Sequence, residues 1–410
     1  MLQEALDRST LVVAVDPGKV AHRVWVSDGS GLLSAPVTVP VSREGVGRVE
    51  RLVAVQREAH PDLVIAIEAT GSLHRPWSVE LERRHPGTVR LFAPSETKAA
   101  RTQLGSGRFK TDDRDCAALT YLARQGAGRR WVEETAVEEL RAVVRHRRGL
   151  VHDRKVIRQR LHDQLNALAP GLSAPAGHGR SLALEQPSGQ AVLACAAAFA
   201  GRAPTVRSLR ARSTGRFTSA EADYWAQRWR GCLPPPHDAE QRADRLAGDL
   251  ARFQTLLRDI AALEVELEQL LEGTDGQVLT SLPGVAVVRA AGFAAHSLPI
   301  SRYPDAAHLY SATGLAPALY ESATVRRRGR ISRQGLAEHR DALMGIAWGL
   351  SRSSPSFAQR DREYRSRGMT PIQARVALAR HACRLAYRLL TTQEPFDEER
   401  YRQGRHRRGR

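Results

Sequence analysis

Four carboxylates stand out by their placement: Asp16, Glu68, Asp112 and Asp115. Asp16 closes a short apolar run at 11–15, and Glu68 closes the run Leu63-Val64-Ile65-Ala66-Ile67. If the two runs are neighbouring strands, acids at their ends converge. Asp112 and Asp115 are three residues apart, which on the first turns of a helix puts both on one face and turns Asp113 elsewhere. Oxygen-only donors suit a hard cation, Mg²⁺ or Mn²⁺. Two such ions about 3.5 to 4 Å apart stabilise the attacking and leaving oxygens of phosphoryl transfer. Without a cation, carboxylates gathered this way repel one another. A plainer reading stays beside this one: Asp16 as a turn residue before Pro17-Gly18, Asp112 as a helix cap, and Asp115 favouring the helix dipole.

The elements that would position these acids follow from the pattern of apolar residues. Short apolar runs at 11–15, 23–26 and 37–41, separated by turn residues, predict three strands in succession. A helix around 45–60, a fully buried strand at 63–67, a helix around 73–84, a strand at 89–92 and a helical region over 95–127 complete the unit. The order is βββαβαβα, and acids on the first strand, the fourth strand and the following helix give an α/β, ribonuclease-H-like (RuvC-like) arrangement.

Beyond it, residues 137–168 predict one long basic helix, with Leu140, Val144, Val151, Leu161, Leu165 and Leu168 on or near one face. The stretch 170–237 is rich in Gly, Pro and Ser and ends in Pro234-Pro235-Pro236, so it is expected to be irregular. Leu246, Leu250, Phe253, Leu257, Ile260, Leu263, Leu267 and Leu270 then recur at spacings of three and four, a coiled-coil heptad pattern whose partner is either the earlier helix or a second chain. The expected domains are therefore 1–130 with the acids, a helical and coiled-coil region at 131–277 containing the irregular stretch, a mainly helical domain at 278–395, and a solvated basic tail at 396–410.

Composition narrows the partner. The chain of 410 residues has a formal charge of +18, and only Lys19, Lys98, Lys110 and Lys155 are lysines, so nearly all of the positive charge is arginine. Guanidinium groups grip phosphate bidentately and stack on bases, which favours nucleic acid, although a GC-rich genome inflates arginine as well. Four scattered cysteines without a C-x-x-C pair argue against disulfides and structural zinc. No apolar stretch of about 18 residues suggests a membrane span. A cytoplasmic protein is expected.

Val13-Ala14-Val15-Asp16, Ile67-Glu68-Ala69-Thr70-Gly71 and Lys110-Thr111-Asp112-Asp113-Arg114-Asp115 resemble the DEDD transposases of bacterial insertion sequences, a family that includes the Piv DNA invertase and bridge-RNA-guided recombinases. The later motifs Leu282-Pro283-Gly284-Val285 and Gly314-Leu315-Ala316-Pro317 look like that family's C-terminal transposase domain. The resemblance implies that Asp16, Glu68, Asp112 and Asp115 form a metal site. It also implies that Ser322, before the segment Arg326 to Gly335, attacks the DNA phosphate and becomes linked to it. Donor and target DNA, a bridge-type guide RNA and a homo-oligomer, dimer or tetramer, are the implied partners. Two positions depart from the family pattern: Ala323 stands where a glycine usually follows the serine, and Leu336 where an Asn is expected.

Arg326, Arg327, Arg328, Arg330 and Arg333, with Lys110 beside the acids, are the candidate phosphate contacts. Leu282-Pro283-Gly284-Val285 also suggests a helix-hairpin-helix turn, whose backbone amides would face a phosphate. Two other functions fit the same residues. One is a RuvC-like metal-dependent nuclease or junction resolvase that uses water in place of Ser322; the other is a non-catalytic nucleic-acid-binding protein.

Overall fold

The computed structural model describes residues 4–105, 109–132, 135–173, 182–213, 217–322 and 325–407, with the backbone alone at 319–329 and 404–407. The chain divides into two compact units, residues 1–134 and 135–410.

The first unit is a mixed sheet with helices on both faces. Its elements are β1 (Leu11–Asp16), β2 (Ala21–Ser27), β3 (Val37–Pro40), α1 (Arg43–Gln56), β4 (Leu63–Glu68), α2 (Arg75–Arg84), β5 (Val89–Phe92), α3 (Pro94–Gln103), α4 (Asp112–Arg124) and β6 (Arg129–Arg130). The sheet order is β3-β2-β1-β4-β5-β6. The first three strands are antiparallel, and β1, β4 and β5 run parallel. This order is consistent with a ribonuclease-H-like domain. Strands covered on both faces read as unbroken apolar runs, and β1 and β4 do. Leu11, Val13, Val15, Leu63, Ile65 and Ile67 enter one core with Val46, Val49, Val53, Trp77 and Leu81. Val12, Ala14, Val64 and Ala66 enter the other with Cys116, Leu119 and Ala123 of α4.

The helical region expected over 95–127 is two helices. Pro94 starts α3, and α4 starts at its own cap, the Thr111 hydroxyl, which accepts from the Arg114 amide at 3.3 Å. Thr111, not Asp112, is therefore the cap.

The second unit holds α5 (Thr135–Leu168), α6 (Pro187–Ala198), α7 (Val206–Arg212), α8 (Ser219–Arg230), α9 (Ala239–Glu272), α10 (Val287–Ser297), α11 (Ala306–Ala312), β7 (Pro317–Ser322), β8 (Val325–Ile331), α12 (Ala337–Ser353), α13 (Pro355–Ser366), α14 (Pro371–Thr392) and α15 (Glu398–Arg407). Helices α5 and α9 pack along each other within the chain. One half of the pair, with Leu161, Leu165, Leu246 and Phe253, shares a core with α6, α7 and α8. The other end, with Val137, Leu140, Leu267 and Leu271, shares a second core with α10, α12 and α14. The buried row on α9 keeps one four-three frame from Leu246 and Leu250 to Leu267 and Leu271, so the expected Leu263 and Leu270, which are half-buried, lie one residue off it.

Two expectations are corrected here. The stretch 170–237 is not irregular, since it carries α6, α7 and α8. Its Pro, Ser and Thr residues start helices: Pro187 opens α6, Thr205 caps α7, and Thr218 forms a capping box with Glu221 on α8. Residues 174–181 and 214–216 lie outside the described residues. The basic tail is ordered as far as α15, because Phe396 and Tyr401 pack on the core and Glu398 accepts from the Ser354 hydroxyl at 2.7 Å and the Ser356 amide at 3.0 Å.

Candidate active site

Strand alternation decides where the first two acids point. Asp16 has the parity of Val12 and Ala14, and Glu68 that of Val64 and Ala66, so both face the side of the sheet covered by α4. Val15 pairs with Ile67 in the parallel register, so the next step sets Asp16 beside Glu68 at the carboxyl ends of β1 and β4. Helix α4 reaches the same edge. Its Cys116 thiol packs on the carbonyls of Ala14 and Arg23, at 3.9 and 3.4 Å, and Asp115 is the preceding residue.

The four acids differ in surroundings. Asp115 is 2% exposed and meets the Arg101 guanidinium of α3 at 2.7 Å. Glu68 is buried and accepts from the Thr70 hydroxyl at 2.6 Å. Asp16 is half-buried, and Asp112, at the first position of α4, is exposed. Asp113 is turned away, accepting from Arg23 Nε at 2.6 Å and Trp25 Nε1 at 2.9 Å.

Electrostatics ties the acids into one group. Burial first, then the charges of Asp115, Glu68 and Asp112, push the Asp16 carboxyl up to about 7, with Lys110 opposing. Asp115 is also raised, by burial, against the pull of Arg101. Asp16 thus holds its proton up to near neutrality, first because it is buried and then because three other carboxylates lie near it. Carboxylate oxygens alone match a hard divalent cation. As they stand, however, no three acidic, His or Cys side chains among the described residues are gathered closely enough to grip one ion.

Three partners at this edge had no sequence signal of their own. Arg101 is one arginine among many. Thr70 lay inside a quoted motif without a role. His22, fully buried, accepts from the Gly18 amide at 3.1 Å and packs edge-on against Trp77, holding the turn that follows Asp16.

In the second unit, Ser322 ends β7 and pairs in register with Val325 of β8, on which Arg326, Arg327, Arg328 and Arg330 lie. The side chains of Ser322 and Arg326 to Arg328, and all of Ala323, lie outside the described residues. Arg330, Arg333 and Leu336 are exposed. The hairpin is rooted where two motifs meet: the Ser332 amide donates to the Ala316 carbonyl at 2.8 Å and the Arg333 amide to the Gly314 carbonyl at 3.0 Å. Gly335, at φ +135, is pressed so close that a Cβ would stand 2.1 Å from the Ala312 carbonyl oxygen. The turn at Leu282-Pro283-Gly284-Val285 uses its glycine for packing, with a Cβ on Gly284 set to meet the Gly349 carbonyl of α12 at 2.6 Å. Its neighbour on that side is a helix.

Comparison with known proteins agrees with both halves. A DEDD transposase profile of the IS110 type matches residues 13–170, and the profile of the transposase IS116/IS110/IS902 family matches residues 276–362. The insertion element IS116 uncharacterized 44.8 kDa protein of Streptomyces clavuligerus is 26% identical over 403 residues, covering 94% of this chain and 95% of its own length. The insertion element IS110 uncharacterized 43.6 kDa protein of Streptomyces coelicolor is 33% identical over 130 residues, 32% of each chain. With the two profiles in chain order and a relative matched almost end to end, this chain belongs to the DEDD transposase family of IS110/IS116-type insertion elements.

Proposed function

We propose that the chain cuts and rejoins DNA through a serine–phosphate intermediate, with Asp16, Glu68, Asp112 and Asp115 holding Mg²⁺ or Mn²⁺ and Ser322 acting as nucleophile. The observation that carries this reading is the shared charge field of the four acids at one sheet edge, in a chain of the transposase family. A bound divalent cation supplies positive charge against the phosphate oxygens. Lys110, Arg326, Arg327, Arg328, Arg330 and Arg333 grip the flanking phosphates. The Ser322 oxygen bonds to the scissile phosphorus as the bond to the 3′-oxygen breaks. The serine proton passes to solvent and the 3′-oxygen takes one up. Attack by the 3′-hydroxyl of the other strand then reverses the step and frees the serine. One phosphodiester is exchanged for another, so no high-energy cofactor is needed.

On this reading the partners are donor and target DNA, a structured RNA from the element that selects them, and further copies of the chain in a dimer or tetramer, all in the cytoplasm. Denaturing electrophoresis of the protein incubated with element-end DNA, Mg²⁺ and the flanking noncoding RNA tests it. Ser322→Ala is expected to lose both the covalent protein–DNA adduct and strand exchange. Cleavage unchanged in that variant would favour a water-using nuclease. Activity untouched in Asp16→Ala and Asp115→Ala would leave only a binding protein.

A further inference from the structure

The contact between Arg101 and Asp115 is more deeply buried than most ion pairs among the described residues. Several of those join exposed side chains, as Arg148 does with Asp341 and Arg400 with Glu394, and contribute little. Arg101 and Asp115 are 13% and 2% exposed, and they join α3 to α4 across the acid cluster. Burying two charges is unfavourable unless they are well aligned. Here Arg101 Nη1 and Asp115 Oδ1 are 2.7 Å apart, yet neither atom has an aligned hydrogen bond among the described residues. The contact is one of charge against charge, without the two-pronged geometry that fixes an arginine on a carboxylate.

The position matters as much as the geometry. Asp115 is the most buried of the four acids, and the arginine occupies the carboxylate that a divalent cation would need. This also accounts for an arrangement with the right donor chemistry but no three acids drawn around a common point. We propose that Arg101 is the resident counter-cation of the acid cluster: it holds Asp115 while no divalent cation is bound, and a divalent cation displaces it. The proposal rests on the reading of the four acids as a metal site. Its consequence is competition, since one carboxylate serves either the guanidinium or the ion. Metal loading therefore carries the cost of breaking a buried contact, and Arg101 sets the affinity from outside the ligand set.

Binding of Mn²⁺ to the full-length protein, followed by its electron paramagnetic resonance and by calorimetry, tests this without any DNA. Arg101→Gln is expected to bind Mn²⁺ about tenfold more tightly than the natural protein, because the competitor is gone. Arg101→Lys, with a smaller and more hydrated cation, should fall between them. The metal-free Arg101→Gln protein should melt at lower temperature, with Asp115 left unpartnered, and saturating Mn²⁺ should restore it. Adding Asp115→Asn to Arg101→Gln should restore the metal-free melting temperature and show that the variant folds. Equal or weaker Mn²⁺ binding by Arg101→Gln, with Asp16→Asn still abolishing binding, overturns the proposal and leaves the metal site intact. If neither the natural protein nor Arg101→Gln binds Mn²⁺, the metal reading falls and this proposal with it.

Discussion

Each unit buries a cluster of titratable groups, and the two are opposite in kind. In the first, Asp16, Glu68 and Asp115 lie at a sheet edge, where burial and like charge push in the same direction and raise Asp16 to about 7. In the second, Ser297 and His339 are hydrogen-bonded at 2.9 Å beside His296, and burial holds the two imidazoles down at about 3 for His339 and about 4 for His296. A serine and a histidine at that distance have the look of a nucleophile and its base. Ser297 is fully buried and His339 is 2% exposed, so no substrate reaches them. The imidazoles are accommodated as neutral groups by hydrogen bonding and ring packing. The acids are only partly settled, by Arg101 on Asp115 and Thr70 on Glu68, and on the proposed reading a cation completes the balance. Residue type therefore says less than access and uncompensated charge.

The largest effect expected is on activity, and it separates the clusters. Asp16→Asn should lower strand exchange about a thousandfold, the scale of losing a principal electrostatic group, without loss of folding. Exchange assays run beside circular dichroism check both. His339→Ala should behave in reverse. Losing a buried ring and leaving Ser297 unpaired is expected to cost about 3 kcal/mol, or roughly 5 °C in melting temperature. Any loss of exchange should follow the folded fraction. A His339→Ala protein that is fully folded yet inactive would erase the distinction.

A smaller effect tests the hairpin root. Gly335→Ala places a Cβ 2.1 Å from the Ala312 carbonyl oxygen at a backbone angle that L residues rarely adopt, and about 2 kcal/mol is expected to be lost. Hydrogen exchange should quicken at β7, β8 and the turn at Gly314. The strands of the first unit should be unchanged.

The first unit was legible in the sequence because each of its signals is local. Strands covered on both faces leave unbroken apolar runs, and Asp16 and Glu68 simply end two of them, so five of the six strands follow from the runs at 11–15, 23–26, 37–41, 63–67 and 89–92, and the meeting of the two acids follows from their places at strand ends. What surrounds the acids was not legible. Arg101 reaches Asp115 only because α3 and α4 pack together, and no periodicity marks one arginine in a chain with so many. The stretch 170–237 misled for a physical reason: Pro187, Thr205 and Thr218 signal coil and helix start equally well, and the short α6, α7 and α8 leave too few turns for an apolar period to show. The apolar row on α9 was visible, but such a row does not name what covers it, and α9 packs along α5 of the same chain.

The last prediction sets the two clusters against each other by pH alone. Asp16 has a folded value, about 7, above its ordinary one near 3.8. Its contribution is therefore fully present below about pH 4 and is lost as pH rises through 7, because the unfolded chain gives up the proton first. His296 and His339 are displaced downward, to about 4 and about 3, from an ordinary 6.5. Their contribution is present above pH 6.5 and is lost as pH falls towards 3, because the unfolded chain takes up protons that the folded one refuses. Metal-free protein should thus show protection at β4 falling between pH 4 and 7, and protection at α10 and α12 falling between pH 6.5 and 4, once exchange rates are corrected for their intrinsic pH dependence. Asp16→Asn should flatten the first slope and leave the second. Saturating Mn²⁺ should also flatten the first, since an ion at the acids stabilises the ionised form and displaces the Asp16 proton. Parallel slopes in the two units, or a first slope indifferent to both Asp16→Asn and Mn²⁺, would mean that the acid edge is balanced within the fold, as the imidazoles are.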